Sequence, residues 1–366
     1  MYALHQPGSF ASPFGMPITT AAGLIGAIRN AKILLPQQLE AVVGLAPRFP
    51  DPRALARELV QGGWLTPFQV NQLFRGEELT LGQYVLLERL GEGAMGLVYK
   101  ARHQTLGRLA ALKVIRKERL ASTKAIRRFQ REIRAVAQLS HPNVVIAYDA
   151  SQADGVQYIA MEYVEGLDLG KLVKVKGPLA IAHALNYTRQ AAACLQYLHE
   201  RSMVHRDIKP SNLLLTIDGT TIKVLDLGLA LINDVGEDEP SHITQEGFVV
   251  GTADYMAPEQ ARDSHAADIR SDLYSLGCTL YFMLAGSVPF PAKALQQKLL
   301  AHQIEPPPVI EKKRPEVPAA VGVVIRRLMA KRPEERYQLP AELAYDLGHI
   351  ITTGGLPDRS RPLRGI

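Results

Sequence analysis

Residues 84–115 read YVLLERLGEGAMGLVYKARHQTLGRLAALKVI, and the fold turns on how they are read. YVLLERL and LVYKA are rich in aliphatic and aromatic residues and predict two strands, with LAALKVI a third. GEGAMG joins the first two. Gly91, Gly93 and Gly96 lack side chains, so backbone N–H groups at this turn can approach phosphates closely. Alone the signal is weak, since such a turn is more often only a hairpin. A dinucleotide-binding fold requires a helix after the glycines, where this chain has LVYKA, and a P-loop would close on GKS or GKT, which is absent.

Working outward, alternation in LAALKVI puts Leu109, Ala111, Lys113 and Ile115 on one face, where the small Ala111 leaves room for a flat ring beside Lys113. The stretch STKAIRRFQREIRAVAQLS predicts a helix with its apolar stripe at Ile126, Phe129, Ile133 and Val136, bordered by Glu132. Two partners stand for Glu132. Arg128 at i,i+4 would make a surface pair worth about 0.3–0.5 kcal/mol. Lys113 is preferred, because a carboxylate beside a buried stripe needs a cation.

Further along, VHRDIKPSNLLL (Val204 to Leu215) sets Asp207, Lys209 and Asn212 among aliphatic residues. Asp207 can accept a hydroxyl proton, Lys209 can neutralise a transferring phosphoryl group, and Asn212 offers a metal-binding oxygen. IKVLDLGLA places Asp226 at the end of an apolar strand. An amide oxygen and a carboxylate are hard ligands that suit Mg²⁺ on nucleotide phosphates. Either acid could instead be a helix cap or turn residue.

With these motifs in this order the chain resembles the eukaryotic-type protein serine/threonine kinases, particularly their bacterial members. The order runs GEGAMGLV, AALK with Lys113, Glu132, the linker MEYVEGLDL, HRDIKPSN, DLG at Asp226 to Gly228, and GTADYMAPE ending at Glu259. It continues through SDLYSLG, whose Asp272 matches the buried aspartate of the large lobe, and KRPEERY, whose Arg336 matches the partner of Glu259 in a structural ion pair.

The resemblance implies an α+β fold: a bilobal kinase domain over residues 84–350, with a small β-rich N-lobe and hinge at 84–164 and a larger helical C-lobe at 165–350. It implies ATP and Mg²⁺, with ATP in the cleft between the lobes and its adenine between Ala111 and Leu214, bonded to the backbone of Glu162 and Val164, with Met161 as gatekeeper. Leu90, Gly91, Glu92, Gly93, Gly96 and Val98 would line the nucleotide, and Lys113 would hold its α and β phosphates. Asn212 and Asp226 would hold the metal, Asp207 would orient the substrate hydroxyl and Lys209 would stabilise the γ-phosphate. Asp168 matches an acid that often bonds the ribose, yet at a helix start it is equally a cap. HRDIKPSN and Thr252 favour Ser/Thr over Tyr substrates.

Three function classes follow: an active protein kinase, a scaffold that has lost catalysis, and a small-molecule phosphotransferase. The first leads, because the lysine, the base and the metal ligands are all present, as is the peptide-positioning GTADYMAPE. Leu227 stands where phenylalanine is commoner and keeps the apolar packing. Arg206 beside Asp207 points to activation by phosphate on the loop INDVGEDEPSHITQEGFVVGT, with Thr244 the candidate acceptor. Glu246 would supply part of that negative charge permanently. Trans-autophosphorylation there would pair two copies of the chain.

Length and 47 % hydrophobic content allow two or three compact units with a large core. The stretch YSLGCTLYFMLAGSVPF, Tyr274 to Phe290, is interrupted by Ser, Gly and Thr and predicts a buried helix rather than a membrane span. The first twenty residues lack a basic flank followed by an apolar block, so no export is expected. The two cysteines, Cys194 and Cys278, suggest neither disulfides nor zinc, and a cytoplasmic setting follows. The net charge of +6 is spread among 36 acidic residues, which favours solvated helix faces over a nucleic-acid partner.

Ahead of the strands, residues 1–20 are Gly, Pro, Ser and Thr rich and predict disorder. Residues 21–80 predict a small helical module: Gly26 to Ile33, Pro36 to Val43, a helix capped by Asp51 with Pro52 behind it, and one capped by Thr66 with Pro67 first and Gly76 as its stop. Each helix is too short to stand alone. The module would brace the small lobe, mediate dimerisation or bind a regulator, with bracing the simplest reading. The tail, residues 351–366, ends the fold.

Overall fold

The computed structural model describes residues 18–93, 96–116, 123–227, 252–263, 266–292 and 294–357. They fall into two compact units, one drawn from Met1–Ala121 and Ala147–Tyr163, the other from Ser122–Ile146 and Val164–Ile366.

The first unit begins with four helices: α1 (Ala21–Ala31), α2 (Pro36–Leu45), α3 (Pro52–Gln61) and α4 (Pro67–Arg75). Three start on side-chain caps. Thr20 accepts from Gly23 N, Asp51 from Arg53 N and Ala54 N, and Thr66 from Gln69 N. The first helix starts at Ala21 rather than Gly26 because Thr20 supplies the cap and the buried stripe of Ala21, Leu24, Ile25 and Ile28 already begins there. Gly76, in the left-handed region at φ 67°, closes α4 as expected. Leu24, Ile28, Val42, Leu55, Leu59 and Leu73 form the core of this helical part, and Leu79 and Val85 of the following chain complete it.

A six-stranded antiparallel sheet follows, with β1 (Thr80–Leu81), β2 (Tyr84–Gly93), β3 (Gly96–His103), β4 (Leu109–Ile115), β5 (Ala147–Ala153) and β6 (Val156–Glu162). Its order is β1-β2-β3-β4-β6-β5. The three expected strands are β2, β3 and β4, and pairing between the first two runs to Gly93 opposite Gly96. Alternation divides β2 between two cores. Tyr84 and Leu86 join Leu112, Tyr158 and Ala160 in the sheet's own cluster, while Val85 and Leu87 pack with the helices.

In the second unit, α5 (Thr123–Val136) buries Phe129 and Ile133 of its predicted stripe. A small sheet of β7 (Gly166–Asp168), β8 (Leu213–Thr216) and β9 (Ile222–Val224) sits among α6 (Leu169–Lys176), α7 (Ile181–His199), α8 (Pro258–Arg262), α9 (Ile269–Ala285), α10 (Leu295–Ile304), α11 (Ile310–Lys313), α12 (Ala319–Leu328) and α13 (Pro340–Thr353). The buried helix read from Tyr274 is α9, which begins earlier because Asp268 caps it. Every residue of α9 except Arg270 is buried, as expected for a helix that is apolar all round. Gly277 lets α12 approach closely: a Cβ there would lie 2.6 Å from Leu328 Cβ. Among the described residues no helix is long and apolar enough to cross a membrane. The disorder expected for 1–20 falls, apart from residues 18–20, outside the described residues, as does the tail beyond 357.

Candidate active site

In the first unit the register of the sheet aligns Gly91, Val98, Lys113 and Ile159 across four strands, and sets Ala111 opposite Met161. Lys113 is buried, and Glu162 closes β6 opposite Ala110. The glycines differ in what they do. Gly96 has φ 155°, and a Cβ there would stand 1.8 Å from the Val114 carbonyl oxygen, so the backbone itself demands glycine. At Gly91 and Gly93 a Cβ would meet nothing within 4 Å among the described residues. Leu90 is partly exposed at a register shift between Arg89 and Gly91. The Glu92 carboxylate is taken up by Arg89 and Arg116.

In the second unit the loop before β8 gathers Asp207, Lys209 and Asn212. Lys209 Nζ lies 2.8 Å from Asp207 Oδ2 and donates to Thr252 Oγ1 at 2.8 Å. Asn212 Nδ2 donates to the Asp207 carbonyl at 2.8 Å and to its Oδ2 at 3.0 Å. The other carboxylate oxygen, Asp207 Oδ1, is buried with no hydrogen-bond partner among the described residues.

Buried polar groups hold this loop from below. Asp272 accepts from His205 N and Arg206 N, each at 2.7 Å. Burial pushes its carboxyl up to about 6, against the opposing pull of His205 and these two amides. His205 is fully buried; its Nδ1 accepts from Asp207 N at 3.2 Å, which leaves Nε2 to donate to the Leu225 carbonyl at 2.8 Å. Leu225 N returns a bond to Asn212 O at 2.9 Å, so the chain entering Asp226 is fastened to the loop bearing Asp207. Arg206 (φ 64°) and Asp226 (φ 61°) both sit in the left-handed region. A non-glycine there costs on the order of 1–3 kcal/mol and persists only where surrounding bonds impose it.

Residues 84–346 match the family model described as the protein kinase domain. The chain belongs to that family. A probable serine/threonine-protein kinase of Clostridium perfringens is 38% identical over 276 residues, 73% of this chain and 38% of that protein. The serine/threonine-protein kinase PknB of Mycobacterium tuberculosis is 37% identical over 273 residues, 73% of this chain and 43% of that protein. The chain thus spans less than half the length of these curated relatives. Among solved structures, the kinase domain of Mycobacterium tuberculosis PknI matches with a TM-score of 0.57 at 29% identity, covering 74% of this chain and 96% of that one.

Within this kinase domain the remaining predicted residues fall as follows. Asp168 caps α6, accepting from Lys171 N at 2.8 Å and pairing with Lys171 Nζ at 3.2 Å, and its register partner is Leu214. Val164 lies just ahead of β7. Arg336 meets Glu259 with two bonds of 2.6 and 2.8 Å, and Ser271 adds a third. Burial would raise the Glu259 carboxyl, but the Arg336 bonds outweigh it and hold the group below the usual carboxylate range. Leu227 is buried. The Glu132 side chain, Gly228, Thr244 and Glu246 lie outside the described residues.

The donor set fits the implied metal. Asn212 spends its amide nitrogen on Asp207, and its Oδ1 accepts no hydrogen bond among the described residues. That oxygen and the Asp226 carboxylate are the hard ligands Mg²⁺ prefers. Sequence reasoning did not anticipate His205 as the link between the loop and Asp226, nor Gln260, whose Nε2 donates to the Arg206 carbonyl at 2.7 Å. A histidine flanked by Val204 and Arg206 was the one available signal; for Gln260 there was none.

Proposed function

We propose that the chain is an ATP-dependent protein serine/threonine kinase, with 84–350 as its catalytic domain, transferring the γ-phosphate to Ser and Thr hydroxyls of proteins. The observation that carries this reading is the Asp207 carboxylate: Lys209 and Asn212 hold Oδ2, while Oδ1 is buried and has no partner among the described residues. A carboxylate oxygen with no other hydrogen-bond partner would take the proton of a substrate hydroxyl as that hydroxyl's oxygen bonds to the γ-phosphorus and the bond to the departing ADP breaks. Lys209 sets a positive charge beside the same carboxylate, where charge develops during transfer. Thr252, bonded to Lys209, supports the Ser/Thr preference.

Lys113 is assigned to the α and β phosphates, and Glu132 is proposed as its partner. Leu90, Gly91, Glu92, Gly93, Gly96 and Val98 are assigned to the nucleotide, as are Ala111, Leu214 and the backbone of Glu162 and Val164. Asp168 contacts the ribose only by exchanging the exposed Lys171 ammonium for a hydroxyl. Asn212 and Asp226 would hold Mg²⁺, which would supply neutralisation of phosphate charge. Thr244 is the proposed site of autophosphorylation between two copies of the chain, with Glu246 supplying a constant share of its charge. A cytoplasmic setting suits the two free, buried thiols.

The test is the full chain with ATP and Mg²⁺, its phosphorylated residues mapped by mass spectrometry, beside Asp207→Asn prepared free of phosphate. Transfer to Ser and Thr should fall about 10²- to 10⁴-fold in the variant without loss of folding. Undiminished transfer would sink the role of Asp207, and no transfer by the unsubstituted chain to itself or to a general protein substrate would sink the kinase reading.

A further inference from the structure

The helices of residues 21–75 lie ahead of the span that matches the kinase family, yet they do not end at its border. Val85 and Leu87 of β2 belong to the helices' core, Phe68 of α4 packs against the sheet's core, and the Phe68 and Tyr99 rings stand 5.8 Å apart. Apolar contact of this kind explains attachment but not where β2 is held.

Two polar side chains of α4 do that. Gln69 is 2% exposed, in a helix whose other polar residues are more accessible. Its Oε1 accepts from Thr66 N at 3.0 Å and its Nε2 donates to the Leu86 carbonyl at 2.9 Å. The Thr66 hydroxyl accepts from Gln69 N at 3.1 Å and donates to the Leu87 carbonyl at 2.5 Å. The capping box of α4 is therefore also its clasp on the strand. The bond that closes each half of the box orients the donor that reaches β2.

The place it grips matters. The pairing of β2 with β3 slips between Leu86 and Glu88, so Leu87 is an extra residue in that strand. A bulge leaves backbone groups outside the ladder and sets the bend and twist of everything beyond it. Beyond it lie Leu90, Gly91, Glu92 and Gly93. A buried carbonyl without a donor costs about 1–3 kcal/mol, so a bulge here would relax or re-register if α4 did not supply donors.

We propose that Thr66 and Gln69 are positioning residues for nucleotide binding: by fixing the bulge of β2 they set the height and twist of the glycine-rich strand pair over the triphosphate. The helices ahead of residue 84 are then a working part of the nucleotide-binding half. This rests on the kinase reading for its ligand, though not for its geometry.

The test uses the full chain carrying Gln69→Met, Thr66→Val or Thr66→Ser, with Val42→Ala as a control that opens the helical core on α2, away from β2. Hydrogen–deuterium exchange over residues 88–93 and 96–99 reads the strand pair, and steady-state kinetics with a general protein substrate reads KM for ATP against kcat. Gln69→Met and Thr66→Val should speed exchange at 88–93 and raise KM for ATP about three- to ten-fold, as expected for one lost bond, with kcat at saturating ATP little changed. Thr66→Ser, which keeps the hydroxyl, should restore most of the loss. Val42→Ala should lower thermal stability without either effect.

If Val42→Ala reproduces the exchange and KM changes at the same loss of stability, or if Thr66→Val leaves both unmoved, the positioning role is overturned. Absence of phosphotransfer by the unsubstituted chain would count against the kinase reading alone, because the exchange pattern still decides whether α4 fixes the strand pair.

Discussion

The loop that carries Asp207 and the strand pair that carries the glycines are held by opposite means. Around Asp207 the grip is a set of side-chain hydrogen bonds within the second unit: Asp272 on two amides, His205 on Leu225, Gln260 on Arg206. Around Gly91 the grip is backbone pairing, row upon row across the sheet, with side chains needed only at the bulge. A clamp of single polar groups gives sharp placement and two strained backbone positions. A ladder spreads the load, so only a change that touches the backbone itself can break it.

The strongest way to break the comparison lies on the clamped side. Arg336→Met would strand Glu259, which Arg336 and Ser271 hold in a buried site. Removing one partner of a buried pair costs about 3–5 kcal/mol, which urea unfolding would register as a lower midpoint with an unchanged slope. A loss below about 1 kcal/mol would mean that the pair is as dispensable as a surface one.

Next comes the pH dependence of Asp272. Its folded-state carboxyl titrates near about 6 against an ordinary value of 3.8. A raised carboxyl binds its proton more readily folded than unfolded. Its contribution is therefore fully present below the unfolded value and is lost as pH rises through about 6. Compared with Asp272→Asn, the unsubstituted chain should lose on the order of 2–3 kcal/mol of relative stability between acid and neutral pH. Equal pH slopes for the two proteins would remove Asp272 from the account.

On the ladder side, two glycines give a paired test. Gly96→Ala forces a Cβ against the Val114 carbonyl and should cost on the order of 1–3 kcal/mol, visible as a lower melting temperature. Gly91→Ala has open space and should melt like the unsubstituted chain while raising KM for ATP. Reversal of the pair would show that the open space serves the fold. The smallest effect is expected for Glu92→Ala: its arginine pairs are about half exposed, so stability should change by only about 0.2–1 kcal/mol in thermal melts.

How much could be read in advance follows from the range of each interaction. The capping residues Asp51 and Thr66, the stop at Gly76 and the strands at 84–115 depend on neighbours within a few positions, and they appear as read. The start of α1 is not legible in the sequence, because two glycines interrupt a stripe that packing makes helical despite their poor propensity. The grouping of Asp207, Lys209 and Asn212 was legible because one short loop carries all three, and the pairing of Glu259 with Arg336 only because a family resemblance supplied it.

By itself the amino-acid sequence determined the local elements and the chemistry of the motifs, since residue type and short spacing are covalent facts. Tertiary structure alone decided that Asp272 fastens the loop of His205, that His205 reaches Leu225, and that Gln69, polar and on a short helix, is buried against Leu86. Those bonds join residues 17 to 67 positions apart. Their partners are selected by packing and by the cost of leaving a buried polar group unpaired, and neither is written in any short stretch of the chain.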